Sequence, residues 1–117
     1  MAVFWFSFRL EGNDADARRA ALYARVDVIS RPALAGLGAT MLAPPPTRAW
    51  FDPTSFGLFE CNSDVHYVAG ILTATLDSLV DVLIVRDIAQ GPTLVFGVPE
   101  NLGTLSDLLG NEFELVE

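Results

Sequence analysis

The first ten residues alternate between two kinds of side chain, and this alternation constrains the fold more than any other feature of the chain. The even-numbered positions carry a uniformly large apolar set, Phe4, Phe6, Phe8 and Leu10. The odd-numbered positions carry a mixed set, Trp5, Ser7 and Arg9. A period of two is the repeat of a β-strand whose faces meet different surroundings, and aromatic side chains favour strands. We therefore predict a strand over Val3–Leu10, with its phenylalanine face in the core and its mixed face only half covered.

Two longer helices are predicted from apolar residues that recur every three or four positions. The first covers Ala15–Ile29, behind the turn Gly12-Asn13-Asp14, in which Asp14 or Asn13 can cap the helix. Its apolar stripe leaves three arginines mainly on the solvent side, Arg18, Arg19 and Arg25. The second follows the cap cluster Asn62-Ser63-Asp64, and its apolar positions continue from Val65 to Leu79. Two aspartates at its end are expected to serve only as turn or cap residues, Asp77 and Asp81.

Strand patterns occupy much of the remaining chain. The predicted segments are the strands Ala49–Asp52, Ser55–Asn62, Val82–Ile88 and Thr93–Val98, then a short helix, Leu102–Leu109, and a last strand, Phe113–Val116. The turn Asp52-Pro53-Thr54 separates the first two of these strands. Ser30–Arg48 contains three consecutive prolines, and an extended conformation is predicted at Pro44–Pro46. Within the same stretch, Ala33–Leu42 is either a short helix or a loop.

The order of these segments predicts an α+β fold of the ferredoxin-like kind. It consists of a β-α-β-β-α-β unit with an additional C-terminal strand, in which two helices cover one face of an antiparallel sheet. We assign residues 1–117 to a single domain, with a core over 1–98 and a C-terminal extension over 99–117. The opposite sheet face stays open and carries Trp5. Because an open face with a tryptophan is usually covered by a second copy or a ligand, we expect a homodimer whose contact uses either this face or the added C-terminal strand.

Charge is distributed unevenly along the chain. The 117 residues include 7 arginines, no lysine and 15 acidic residues, which gives a net charge of −8. Residues 1–50 hold six arginines and four acids, whereas residues 51–117 hold one arginine and eleven acids. The two halves can therefore pair within one fold or between two copies. The negative net charge argues against a general nucleic-acid binder, whose affinity comes from clustered lysine and arginine.

The chain has few residues that bind metals or form disulfides, and it lacks common cofactor motifs, which limits the cofactors and the cellular compartment that we expect. One cysteine and one histidine exclude an intramolecular disulfide and a cysteine-rich zinc site. The apolar start of the chain lacks the basic region and cleavage site of a signal peptide, and no stretch reaches the roughly 18 apolar residues of a membrane span. The sequence contains no phosphate-loop or dinucleotide motif. We expect a soluble cytoplasmic protein in a reducing compartment, with no cofactor and no membrane partner.

Two segments carry a resemblance to a known family. The strand TSFGLFEC (Thr54–Cys61) and the strand VLIVRDI (Val82–Ile88) follow a first strand that ends near an acidic turn. In this order they resemble the small CRISPR-associated ferredoxin-like nuclease subunits, over about residues 1–98. The resemblance implies a dimer formed through the sheets, with a fifth strand that reaches across to the partner. A related interpretation is a stand-alone bacterial or phage protein of the same fold.

The chain departs from that family at the expected metal site. The resemblance implies an aspartate at the end of the first strand, where paired copies hold a metal ion, but this chain has Arg9 there. The nearest acids come later, at Glu11, Asp14 and Asp16. Metal-dependent hydrolysis would require the site to move to Asp14 and Asp16, so we do not expect it.

Four residues are candidates for a binding site on the open sheet face: Trp5, Arg9, Trp50 and Arg86. Arg9 and Arg86 lie on neighbouring predicted strands and can clasp an anion or a partner's carboxylate. Alternatively, each arginine pairs with a local acid such as Asp87 or Glu60. The two tryptophans can form a platform for nucleic-acid bases, or they can pack in the core or at a dimer interface.

Two further residues could carry chemistry near the start of the second helix. Cys61 lies just before the helix cap, where it can act as a reactive thiol with His66 five residues later. The alternative is that Cys61 is a small buried apolar residue of the strand. His66 can transfer a proton near neutral pH, or it is a partly exposed residue of the first helical turn.

Three classes of function are compatible with these features. We favour a homodimeric protein-interaction module without catalysis, because it needs only the open face and the uneven charge. The second class is a metal-dependent nuclease or nucleic-acid binder related to CRISPR adaptation subunits, which needs clustered arginines and a relocated metal site. The third is a ferredoxin-like dimer that binds a small molecule in a pocket between the sheet and its helices.

Overall fold

The described part of the chain contains six strands and three α-helices. We describe residues 2–31, 48–51 and 55–116 of a computed structural model. In chain order the elements are β1 Ala2–Arg9, α1 Ala15–Ile29, β2 Ala49–Trp50, β3 Phe56–Cys61, α2 Val65–Thr73, β4 Val82–Asp87, β5 Thr93–Phe96, α3 Leu102–Leu109 and β6 Phe113–Val116. A 3-10 turn over Gly110–Glu112 leads into β6.

The strands form one sheet in the order β2-β3-β1-β4-β5-β6. The first four strands of this order have the arrangement of the ferredoxin-like plan, so the α+β fold class predicted from the sequence is confirmed. All neighbouring pairs are antiparallel except the last, because β6 runs parallel to β5. The C-terminal extension therefore contributes an additional β-α-β unit and makes the sheet mixed.

The phenylalanine face of β1 forms the centre of the main core, as its alternation predicts. Phe4, Phe6 and Phe8 are buried beneath α1 and α2, together with apolar residues of β3, β4 and β5. Phe6 lies opposite Gly57 in the register of β1 and β3. A Cβ atom at Gly57 would come within 2.6 Å of the Phe6 ring, so glycine at this position makes room for the phenylalanine.

Helix α3 covers part of the sheet face opposite α1 and α2. Connections between parallel strands are almost always right-handed, and a right-handed β5–α3–β6 connection places α3 on that opposite face. Burial agrees with this placement, since Val95 of β5 points to that face and is 0% exposed. Of the helices in the described residues, none is therefore placed over β2, β3 and β1 on the face expected to be open.

Helix α2 is shorter than its apolar pattern predicts. It ends at Thr73, whose hydroxyl donates to the Ala69 carbonyl at 2.8 Å, instead of continuing to Leu79. Leu79 is 90% exposed and does not join the core. The chain instead turns around Asp81, whose Oδ2 accepts from the Asp77 backbone N–H at 2.8 Å. Hydrogen bonds to one aspartate thus end the helix where hydrophobic periodicity would extend it.

The predicted position of Arg18 on the solvent side of α1 is wrong. Asp81 has the predicted turn role, since it accepts from the Asp77 backbone N–H, but it is also 1% exposed and holds a buried ion pair. Arg18 leaves the solvent side of α1 and forms a two-point ion pair with it, with Nε 2.7 Å from Oδ2 and Nη2 3.0 Å from Oδ1. A carboxylate buried this deeply needs a cation and hydrogen-bond donors, which explains why the arginine turns inward.

The capping predictions have mixed outcomes. Asp64 caps α2, because its Oδ1 accepts from the Tyr67 backbone N–H at 2.9 Å. Asp14 occupies the capping position of α1 without a side-chain hydrogen bond to the helix.

The turn at Asp52-Pro53-Thr54 and most of Ser30–Arg48 lie outside the described residues. Among the described helices, none has the length and apolar character required to cross a membrane.

Candidate functional site

The four predicted binding residues come from three strands, β1, β2 and β4, and three of them lie in one row across the sheet. Trp50 of β2 lies opposite Leu58 of β3, and Leu58 lies opposite Trp5 of β1. Trp5 in turn lies opposite Arg86 of β4. Residues opposite one another in a sheet share a face. The side chains of this row, Trp50, Leu58, Trp5 and Arg86, therefore lie on the surface that α1 and α2 leave uncovered.

We call this surface the open face. It is made of Val3, Trp5, Ser7, Trp50, Phe56, Leu58 and Ile84, with Arg9, Arg48, Glu60 and Arg86 around them. Most of the apolar members are half-buried, and Trp50 is 49% exposed. The tryptophan and its neighbours form a contiguous apolar surface, which monomeric proteins generally keep small.

Phe56 joins the two tryptophans into an aromatic cluster. Its ring lies 6.2 Å from that of Trp5, with the planes 18° apart. Trp50 meets the same ring edge-on, with centroids 6.5 Å apart. The sequence interpretation did not select Phe56, although its position two residues before Leu58 in β3 places it on the same face. A packed cluster of this kind is rigid and offers a large area to a partner.

Arg9 and Arg86, the two arginines expected to clasp an anion, each pair with acids of the same chain. Arg86 Nη1 donates to Glu112 Oε2 at 2.7 Å and to the Thr93 hydroxyl at 3.0 Å. Arg9 Nε lies 3.2 Å from Glu11 Oε1, and its Nη1 lies 3.8 Å from Glu100 Oε1. The alternative of pairing with local acids therefore describes the structure, although the acids differ from those expected.

The sequence named Glu60 and Asp87 as the acids for that alternative, but in the structure Glu60 pairs with Arg48 and Asp87 lies on the other face of the sheet. Glu60 lies on the open face and pairs with Arg48, with Oε1 and Nη1 4.0 Å apart. Asp87 belongs to the opposite face, because it lies across from Phe4 in the register of β1 and β4. Each arginine of the open face thus has an acid of its own chain within 4.0 Å.

These pairs also connect the two oppositely charged halves of the sequence. Arg9, Arg18 and Arg48 from the first half contact Glu100, Asp81 and Glu60 from the second. Of the two pairings left open by the sequence, pairing within one fold is therefore present. The open face consequently combines an apolar centre with charges that are largely compensated in each copy.

Cys61 and His66 line a separate cleft at the end of the sheet where α2 begins. Cys61 is buried, and no hydrogen bond joins it to His66 in the described part of the chain. His66 is exposed, and its Nε2 lies 2.7 Å from Oε2 of Glu114 on β6. The geometry thus fits a buried strand cysteine and an exposed helix histidine, rather than a thiol paired with a base.

The weak metal candidates, Asp14 and Asp16, lie at the start of α1. Both are exposed, and Asp16 Oδ1 lies 3.2 Å from Arg19 Nη1. Among residues 2–31, 48–51 and 55–116, no group of three histidine, cysteine or acidic side chains is arranged to hold a metal ion. Two exposed carboxylates, one of them facing an arginine, give little basis for a divalent-metal site.

Comparisons with family models, with curated proteins and with solved structures found no match to this chain in any of the three.

Proposed function

We propose that the protein is a homodimeric protein-interaction module without catalysis, and that its two copies associate through their open faces. The observation that carries this proposal is the aromatic cluster of Trp5, Trp50 and Phe56 on a sheet face from which α1 and α2 are absent. Aromatic side chains are enriched where interfaces bury the most surface, since each supplies a large contact area.

The charges of the open face favour a second copy as the occupant. A two-fold interface places a surface against itself, so uncompensated charge would meet like charge. Here Arg86 is paired with Glu112 and Arg48 with Glu60 inside each copy. An apolar surface with internally paired charges can therefore face its own copy without like-charge repulsion.

The same pairing disfavours a nucleic acid as the occupant. Binding to phosphates depends on cations that are free to replace counterions. The arginines of the open face already face carboxylates. A nucleic-acid-binding relative of the CRISPR-associated subunits remains the second candidate, supported by the aromatic cluster, on which bases could stack.

Trp50→Arg is expected to weaken self-association at least tenfold. The exposed ring is lost, and an uncompensated cation in each copy would face its counterpart across the two-fold interface. Sedimentation equilibrium over about 1 to 100 μM, a range that spans moderate affinities, should give a dimer mass for the wild type and a larger monomer fraction for the variant. Tyr67→Arg is a matched control, because Tyr67 is an exposed aromatic residue on α2.

Fluorescence gives an independent reading of the same equilibrium. Trp5 and Trp50 are the two tryptophans of the chain and both lie on the open face. Dilution should therefore shift their emission to longer wavelength as the interface opens. A monomer at the highest concentration, or equal association in Trp50→Arg and wild type, would contradict the proposal. Salt-sensitive binding of labelled single-stranded RNA or DNA by the wild type would instead support the second candidate.

A further inference from the structure

A cleft of about 910 Å³ lies at the end of the sheet where α2 begins. Its walls come from the start of β1, the end of β3, the first turn of α2 and the connection from β4 to β5. We call it the α2 cleft. Its volume falls within the range typical of small-molecule sites. The aromatic cluster of the open face does not contribute to its lining.

A nearly buried carboxylate, that of Asp87, lies in the wall of the α2 cleft. The residue is 8% exposed, and its Oδ1 accepts one hydrogen bond, from the Ala89 backbone N–H at 2.9 Å. An ionised carboxylate can accept about four hydrogen bonds. No described residue donates to Oδ2, and this oxygen is not fully buried, so it stays accessible to a ligand in the cleft.

The described residues around the α2 cleft supply no cation for Asp87. No arginine is among the lining residues, and the seven basic residues of the chain are all arginines. His66 lines the cleft, but its Nε2 is engaged by Glu114. The other acid in the wall, Asp64, adds negative charge. The electrostatic character of the cleft therefore favours a positively charged occupant.

The remaining walls favour an organic cation over a metal ion. Four apolar residues, Val3, Val65, Ile88 and Pro92, are among those that line the cleft with Asp87. No trio of metal-binding side chains occurs in the described part of the chain. We propose that the α2 cleft binds a small organic amine, whose ammonium group donates to Oδ2 of Asp87, an oxygen that accepts no hydrogen bond from the described residues, while its apolar part contacts the apolar part of the wall. A charge-assisted hydrogen bond to Asp87 would fix the orientation of such a ligand.

Three probes of similar shape and different charge test this proposal. Phenethylammonium, neutral 2-phenylethanol and anionic 3-phenylpropionate are titrated into the wild-type protein, followed by amide chemical shifts in ¹H–¹⁵N spectra. The ammonium should bind at least tenfold more tightly than the alcohol, and the anion should bind most weakly. Shifts should centre on Ala89 and on Val65 and His66 at the start of α2. The wild-type titration alone can overturn the proposal. It does so if the ammonium causes no saturable shift, or if the ammonium and the alcohol bind equally.

Asp87→Asn tests the assigned residue. Its side-chain oxygen can still accept from Ala89, so the local turn is retained while the negative charge is removed. The variant should bind phenethylammonium at least tenfold more weakly, whereas Asp107→Asn, on the exposed side of α3, should bind as the wild type does. Unchanged affinity in Asp87→Asn would overturn the assignment. Repeating the titration in Trp50→Arg separates this proposal from the dimer, because the α2 cleft should bind equally well in a monomer.

Discussion

Asp81→Asn is expected to lower the free energy of unfolding by about 3 kcal/mol, because it leaves buried donors without an acceptor. Each oxygen of the Asp81 carboxylate accepts two hydrogen bonds. Oδ1 accepts from Arg18 Nη2 at 3.0 Å and from the Glu11 backbone N–H at 3.3 Å. Oδ2 accepts from Arg18 Nε at 2.7 Å and from the Asp77 backbone N–H at 2.8 Å. In asparagine, one of these oxygens becomes an NH₂ group that points its hydrogens at two donors.

The position of Asp81 explains why one side chain has this effect. It joins the end of β1, through Glu11, to the start of α1, through Arg18, and to the loop before β4, through Asp77. Arg18 also donates to the Glu11 carbonyl, so this arginine contacts both Asp81 and Glu11. Chemical denaturation of Asp81→Asn measures the loss. Asp16→Asn is the matched control, because its exposed carboxylate pairs only with Arg19 in the described chain and should change stability by less than about 0.5 kcal/mol.

The stability difference between wild type and Asp81→Asn should depend on pH. Burial raises the pKa of the Asp81 carboxyl, but hydrogen bonds from Arg18 and from the Asp77 and Glu11 backbone outweigh it, so the pKa lies below its usual value. A carboxyl with a lowered folded-state pKa contributes its full stability above the unfolded-state pKa of about 3.9. That contribution is lost as the pH falls towards the folded-state pKa.

Denaturation at neutral pH and at steps down to about pH 2.5 tests this dependence. The wild type should lose its advantage over Asp81→Asn progressively below about pH 4, because the protonated carboxyl no longer accepts all four hydrogen bonds. The Asp16→Asn control should follow the wild type throughout. A gap that stays constant across this range would show that the charge of Asp81 contributes nothing to stability.

Local sequence signals predicted the elements well. The alternating phenylalanines identified β1 and its buried face, and the bounds predicted for α1, α3 and β6 agree with the structure. Each of these signals lies within a short window, where spacing and turn residues determine the local conformation. The residues of the open face were also predictable, since Trp5 and Arg86 follow directly from alternation on adjacent strands.

Contacts between distant residues could not be predicted in the same way. Arg18 and Asp81 are 63 positions apart, and each taken alone fits an ordinary surface role, on the polar side of a helix and in a turn. The end of α2 was also missed, because its apolar spacing continues past Thr73 while the chain leaves the helix and its next segment is bonded to Asp81 through the Asp77 backbone N–H. The pairing of Arg86 with Glu112 likewise requires β6 to return beside β5. A sequence pattern shows which residues share a face, but not which charged groups meet across the fold.

Gly97→Ala is expected to destabilise the protein by about 3 kcal/mol, because both its backbone conformation and its surroundings exclude a side chain. Gly97 has φ +83°, a region that costs other residues roughly 1–2 kcal/mol. A Cβ atom here would lie 2.0 Å from the Asp81 carbonyl oxygen, and a forced shift of packed groups costs roughly a further 1–3 kcal/mol. The obstructing atom is backbone and cannot rotate away, so relief would require β5 to move from the segment that carries Asp81.

Gly70→Ala gives a control of opposite sign for the same chemical change. Gly70 lies within α2, and no atom outside its own helix segment lies within 4 Å of a Cβ placed there. Alanine should therefore stabilise the helix by roughly 0.5–1 kcal/mol, as it does at unobstructed helical positions. In thermal and chemical denaturation, the midpoint of Gly70→Ala should rise above that of the wild type, and the midpoint of Gly97→Ala should fall below it. A Gly97→Ala protein as stable as the wild type would mean that the segment before β4 does not approach β5 as closely as the structure shows. The same result would weaken the account of Asp81, because both predictions depend on that approach.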